Sequence, residues 1–421
     1  MLVSLPAALA LVGAACLVDA APSPARPLTI ELTKRDLGLK NADGSVNIAG
    51  LEAQTVALSR KYNRNRNNFR YHVFGEAPSP ESRMVREKRA SAGTIQLTEQ
   101  SMSVWTGQVY VGTPAVPFNI YFDTGSSDFT IASIACGSSC GTKQRYNYTA
   151  SSTAVRTART VTTTFVDGTS SSGNLYTDTV TIAGVTANQQ ALVAASSLSS
   201  TVADIASDGL MGLAFASLSG AYTSSFMFTV NSQGTAAYPY FSMRLNNNGP
   251  SEMTFGAFNR LRSASGNPRW YQLATDSGTY TYWQFGMAAP WVNGKTALAT
   301  PTNHIIDSGT TLIVAPPSSA AEFWSHVPGS AVYNSNFWTF PCASPPQVDF
   351  AFSRLTLQRW SVSQNSFNLG YLAQDPTRCV GAVIGQNLGL GSSWILGDAF
   401  LTNVYVVHDV ANKRIGLAIP R

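Results

Sequence analysis

The sequence predicts an all-β protein of two lobes built alike, with a few short helices and a short basic segment on its N-terminal side. Three observations carry that expectation. Past Ala90 the chain is dominated by Thr, Ser, Val, Tyr and Gly, set in short β-branched and aromatic runs bounded by Gly and Pro. A pattern of apolar strand, Asp, hydroxyl residue and Gly occurs twice. Charge also divides the chain: residues 21–89 hold 13 Lys and Arg against 7 Asp and Glu, while residues 90–421 hold 15 against 15.

The 421 residues leave room for two or three domains. Residues 1–20 carry a single charge, Asp19, and a largely apolar run from Leu5 to Val18. That run is too short for a membrane span, and Val18-Asp19-Ala20 supplies the small-x-small end of a signal peptide, although the first residues lack Lys or Arg. A buried N-terminal helix is the alternative. Residues 21–89 read as a basic propeptide, with an amphipathic stretch around Leu51–Tyr62, and they end in Lys88-Arg89. A dibasic pair where the composition changes suits a processing site, with an ordinary basic linker as the alternative.

The excess positive charge of the chain thus belongs to one short segment, which argues against a nucleic-acid partner, since that needs charge on the folded module. No second apolar run reaches spanning length and the C-terminus is no lipid-anchor tail, so no membrane anchor is expected. Residues 90–262 and 263–421 are the expected lobes, with Ser318–Val327 the best helix candidate in the β-rich region.

Five cysteines become four if Cys16 leaves with the signal peptide, and an even number in an exported chain reads as disulfides. Three pairings are possible. Cys136–Cys140 with Cys342–Cys379 is favoured because each closes a local loop. Zinc is the rival, but the first pair has C-x3-C spacing and only His304, His326 and His408 follow Arg89, without a ligand pair at helical spacing. No metal or cofactor is expected. Asn147-Tyr148-Thr149 is a glycosylation sequon, in keeping with secretion to the extracellular space.

The repeat is the most informative feature. Tyr121-Phe122-Asp123-Thr124-Gly125-Ser126-Ser127 returns as Ile305-Ile306-Asp307-Ser308-Gly309-Thr310-Thr311. Each copy is followed by two apolar residues and a Gly, at Gly212 and Gly397, which lie 89 and 90 residues beyond their aspartates. One Asp-Thr-Gly would usually be only a turn. Two of them in duplicated lobes bring two carboxylates to a pseudo-twofold axis. Carboxylates that close cannot both ionise easily, so they share a proton and titrate as a pair. One can then take a proton from water while the other donates to a scissile carbonyl: hydrolysis by general acid–base chemistry, with no covalent intermediate.

At these residues the sequence resembles the pepsin family of aspartic proteases, its fungal secreted branch in particular. The resemblance covers essentially all of 90–421. It rests on Gly112-Thr113-Pro114, Phe122–Ser127 and Asp208-Gly209-Leu210-Met211-Gly212-Leu213 in the first lobe. In the second it rests on Asp307–Thr310, Phe340-Pro341-Cys342 and Trp394-Ile395-Leu396-Gly397-Asp398. It implies a bilobal double β-barrel acting as a monomer on protein or peptide substrates in acid. Asp123 and Asp307 would be the catalytic pair, supported by Ser126 and Thr310 with Gly125 and Gly309, and Thr124 and Ser308 would bridge the two loops. The basic segment would lie across the cleft as an inhibitory propeptide, with Arg60-Lys61-Tyr62 as the blocking contact. A folding aid without inhibition is the alternative.

The sequence departs from the family at the flap over the cleft. Phe165-Val166-Asp167-Gly168-Thr169 stands where a Tyr-Gly pair is usual, and Thr130 stands where a Trp would partner that Tyr. Both halves of one hydrogen bond are missing together, which predicts a repacked flap with reduced turnover. Asp167 would favour a basic residue beside the scissile bond, or else is a solvated turn residue. Two other functions compete. Gly137-Ser138-Ser139-Cys140-Gly141 fits the serine-hydrolase G-x-S-x-G pattern, without the strand–turn–helix setting it requires. The altered flap leaves open a protease-like binding protein with weak or no turnover.

Overall fold

The computed structural model describes residues 28–34, 39–76, 105–164, 170–198, 203, 207–247, 249–352 and 358–421. The fold is all-β and bilobal. In the first lobe six strands close a barrel: Trp105–Val111, Val116–Asp123, Gly209–Gly212, Phe129–Ala132, Val185–Ser197 and Ser170–Ile182, with the last pairing back onto the first. In the second lobe an eight-stranded sheet runs through Gln284–Val292, Thr302–Ile306, Trp394–Leu396 and Ile313–Ala315, beside a four-stranded sheet. A sheet common to both lobes joins them, because Tyr405–Asp409 pairs antiparallel with Tyr240–Arg244.

The repeat in the sequence is a repeat in topology. Val116–Asp123 lies parallel to Gly209–Gly212, with Phe122 opposite Met211 and Asp123 opposite Gly212. Thr302–Ile306 lies parallel to Trp394–Leu396 in the same way, with Ile306 opposite Leu396. In each lobe a third strand, Phe129–Ala132 or Ile313–Ala315, then pairs antiparallel with the second member of that pair. Parallel pairs are buried on both faces and favour continuous apolar runs. Ile120, Phe122, Ile305, Ile306, Ile395 and Leu396 are all buried, so each aspartate ends a strand locked in the core.

The amphipathic stretch around Leu51–Tyr62 is the first half of a longer helix, α1, of 27 residues (Ile48–Phe74). The Asn47 side chain accepts from Gly50 N at its start, and Gly75 closes it in the left-handed conformation. Leu51, Thr55, Leu58, Tyr62 and Asn65 are buried, a stripe alternating four and three residues apart. Past Asn65 the helix docks through Phe69, half-buried against the core, and through polar side chains: Asn68 donates to Leu218 O at 2.8 Å and His72 Nε2 lies 2.8 Å from Ser219 O. Upstream, Leu28–Lys34 inserts between Ser251–Phe255 and Trp105–Val111 and so joins the large sheet. The helix expected at Ser318–Val327 spans Pro317–Ser325, with Pro317 in its first turn.

Candidate active site

Each Asp-hydroxyl-Gly loop is a tight turn pinned to the strand beside it. Leu213 N donates to Asp123 O at 2.8 Å and Ala214 N to Ser126 O at 2.8 Å; Asp398 N donates to Thr310 O at 2.8 Å. The two loops also hold each other. Ser308 N donates to Thr124 Oγ1 (2.9 Å), and Thr124 Oγ1 donates to Ile306 O (3.1 Å). Reciprocally, Thr124 N donates to Ser308 Oγ (3.1 Å), which donates to Phe122 O (3.0 Å). These four bonds cross the lobe junction with every partner buried, so the lobes are registered at the loops.

The result is two carboxylates face to face. A Cβ on Gly125 would collide with the Asp307 carboxylate, and one on Gly309 would collide with the Asp123 carboxylate. Glycine at these two positions is therefore a condition of the pair's approach. Gly125 N and Gly309 N donate to Oδ1 of their own aspartates, each at 2.9 Å. Ser126 Oγ donates to Asp123 Oδ2 at 2.6 Å, and Thr310 Oγ1 donates to Asp307 Oδ2. All the dyad and supporting residues read from the repeat meet here.

Helix α1 lies across this pair. Lys61 Nζ is 2.7 Å from Asp123 Oδ1 and 2.8 Å from both oxygens of Asp307. The Tyr62 hydroxyl donates to Asp307 Oδ2 at 2.7 Å, and Asn65 Nδ2 donates to Gly125 O at 2.7 Å. Of the expected Arg60-Lys61-Tyr62 contact, Lys61 and Tyr62 carry the bonds to the carboxylates. Asn65 was not anticipated, nor was Gln386, whose Nε2 donates to Thr55 O and Ser59 Oγ at 2.6 and 2.7 Å. The signal for Asn65 was its place on the buried stripe, one turn beyond Tyr62.

Burial drives both carboxyls upward, and the outcomes diverge. For Asp123, burial and the neighbouring Asp307 charge outweigh Lys61 and leave it above its ordinary value. For Asp307, burial is outweighed by Lys61 together with hydrogen bonds that include Thr310, which leaves it below. The two carboxyls share Lys61, which lies on one oxygen of Asp123 and on both of Asp307. Lys61 loses hydration on burial, yet the two carboxylates more than compensate and raise it, so it stays cationic.

Elsewhere, Cys136–Cys140 and Cys342–Cys379 are disulfide-bonded. Gly137–Gly141 forms a single 3-10 turn at the first bridge, unlike the strand–turn–helix of a serine-hydrolase nucleophile. Asn147 is exposed, and its side chain accepts from Thr149 N at 3.1 Å. The flap's strands, Val155–Thr164 and Ser170–Ile182, pair antiparallel. Phe165, Val166, Asp167 and Gly168 at its tip lie outside the described residues, as do Lys88, Arg89 and residues 1–20. Among the described residues no cluster of His, Cys, Asp and Glu is set to hold a metal, and no helix is long and apolar enough to cross a membrane.

The family model for eukaryotic aspartyl protease matches residues 104–419. An aspartic protease of Phaffia rhodozyma is 34% identical over 347 residues, covering 79% of this chain and 80% of the relative. Penicillopepsin-3 of Penicillium janthinellum is 32% identical over 313 residues, covering 71% and 75%. Pepsin A of Sus scrofa is 27% identical over 347 residues, covering 81% and 87%. With a paired-aspartate site built on a duplicated β fold, and this match along most of its length, the chain belongs to the eukaryotic aspartyl protease family and is an aspartic endopeptidase.

Proposed function

We propose that Asp123 and Asp307 are the catalytic pair of a secreted endopeptidase made as a zymogen, held shut by α1 and active in acid. The observation that carries this reading is the single Lys61 ammonium shared by both carboxylates at 2.7–2.8 Å. A cation at that point occupies the place where a water must sit, and its charge favours the ionised form of each acid.

With Lys61 withdrawn, the pair has no counter-charge and keeps one proton. A water between the carboxylates then attacks the scissile carbonyl carbon. The ionised carboxylate takes one of its protons, and the protonated partner gives its own to the carbonyl oxygen. The carboxyl that took the water's proton then gives it to the amide nitrogen while its partner removes a hydroxyl proton from the neutral diol; the C–N bond breaks, releasing an amine and a carboxylic acid and leaving one proton on the pair. Rate therefore depends on one proton per pair, and a bell-shaped profile on the acid side of neutrality follows.

In this reading residues 1–20 leave as a signal peptide and 21–89 are a propeptide cut after Lys88-Arg89. The mature monomer has lobes 90–262 and 263–421 and is glycosylated at Asn147. Two disulfides and an exposed sequon support export. The test is cleavage of a denatured protein by the full chain at pH 7 and after acidification, with pepstatin and with Asp123→Asn. The expected result is acid-dependent, pepstatin-sensitive cleavage that falls by about 10²–10⁴-fold in Asp123→Asn. Full activity at pH 7, or activity retained in Asp123→Asn, overturns the reading.

A further inference from the structure

A small cleft open to solvent lies beside the helix on the first lobe, lined by Arg64, Asp128, Thr130 and strands of the barrel. A second, smaller one shares Thr130, Leu198 and Leu210 with it. Thr130 lines both. The buried residues on either side form two small clusters detached from the main core, one with Ala132, Ala195 and Leu198, the other with Val161 and Val193. A large ring at position 130 would fill the gap between them; threonine leaves it open.

The chemistry of the lining is that of a slot for a long cationic side chain. Val161, Val193, Leu198 and Leu210 supply aliphatic walls for methylenes, and Asp128 is the one carboxylate on the lining among the described residues. Asp128 accepts from Ser219 Oγ at 2.7 Å and from Gly220 N at 3.0 and 3.1 Å. A carboxylate has about four acceptor positions, which leaves capacity for a guanidinium or ammonium. The chain already places such a group there. Arg64 follows Lys61 by three residues, hence about 4.5 Å further along the helix, and its Nε is buried without a hydrogen-bond partner. Arg64 thus lines the slot without pairing with Asp128.

We propose that this slot, opened by Thr130, is a specificity pocket that takes an arginine or lysine side chain of the substrate once α1 has left. The proposal rests on the endopeptidase reading above and adds the substrate side chain it prefers. The test uses full-length protein brought to acidic pH and peptides identical except for Arg, norleucine or Ala scanned over three residues on each side of the scissile bond. At one position kcat/KM for Arg should exceed that for norleucine roughly 10- to 100-fold, as a charged hydrogen bond supplies. Asp128→Asn should bring that ratio near one, and Thr130→Trp or Thr130→Leu should lower Arg and norleucine together relative to Ala.

A second readout keeps the inference separate from catalysis: binding of uncleavable reduced-amide versions of the Arg and norleucine peptides to Asp123→Asn protein at acidic pH. The same ratio there, with no cleavage by the unsubstituted protein, would overturn the catalytic reading and leave the pocket standing. Equal affinity and equal kcat/KM for Arg and norleucine at every position would overturn the pocket. So would a preference for Arg that survives Asp128→Asn and both Thr130 variants but vanishes in Asp167→Ala.

Discussion

Replacing Lys61 by Met keeps an apolar stem and removes the ammonium that touches both carboxylates. Taking one partner from a buried ion pair costs about 3–5 kcal/mol, because the remaining charge is left uncompensated. At about 1.4 kcal/mol per factor of ten, docking of α1 should weaken by about 10²–10⁴-fold. The dependence on pH should also change sign. In the wild type Lys61 draws both carboxyls toward the ionised form, so docking is strongest where the pair is ionised and weakens as acid protonates it. Without Lys61, burial and mutual repulsion remain, both carboxyls rise, and the docked helix is stable only where the pair is protonated. Hydrogen exchange of the α1 amides in the full chain at pH 7 and pH 5 measures this. The variant should lose protection at pH 7 and regain part of it at pH 5. Wild-type protection at pH 7, or protection that falls on acidification, would refute the assignment of the lock to Lys61.

Two further substitutions probe the same frame. Gly309→Ala puts a methyl against the Asp123 carboxylate; overpacking of that kind costs about 1–3 kcal/mol, and misplacing the pair should lower kcat/KM about 10²-fold while far-UV circular dichroism is unchanged. His408 is buried between Phe241 and Trp283 with neither ring nitrogen partnered, and burial holds it down at about 3. Its neutral form costs nothing above the unfolded value near 6.5, and the penalty accrues as pH falls toward 3. At pH 4 it amounts to roughly 3 kcal/mol. Denaturant unfolding of His408→Phe should therefore show a smaller loss of stability between pH 7 and pH 4 than the wild type; an equal loss would place the acid sensitivity elsewhere.

Much of the site was legible because it is written in contiguous residues. In Asp123-Thr124-Gly125-Ser126 and Asp307-Ser308-Gly309-Thr310 the bonds from each Gly and following hydroxyl to its own aspartate are local, so the motif predicts them. Lys61 was legible for a different reason: a cation in a basic segment has a natural target in two buried acids. The second half of α1 was not, since Asn68 and His72 bond to Leu218 and Ser219 carbonyls some 150 residues away, and such contacts leave no periodicity. Nor was the insertion of Leu28–Lys34 into the large sheet, because backbone pairing is indifferent to side-chain type.

From the chain alone came the duplication, the identity of the two acids and the all-β class, each encoded in residue type and spacing. Tertiary structure decided the rest: that one ammonium bridges both acids, and that Thr130 lines a cleft beside α1. Those depend on how many donors and how much empty space surround an atom, quantities set by segments far apart in sequence that meet only when the two lobes and α1 pack together.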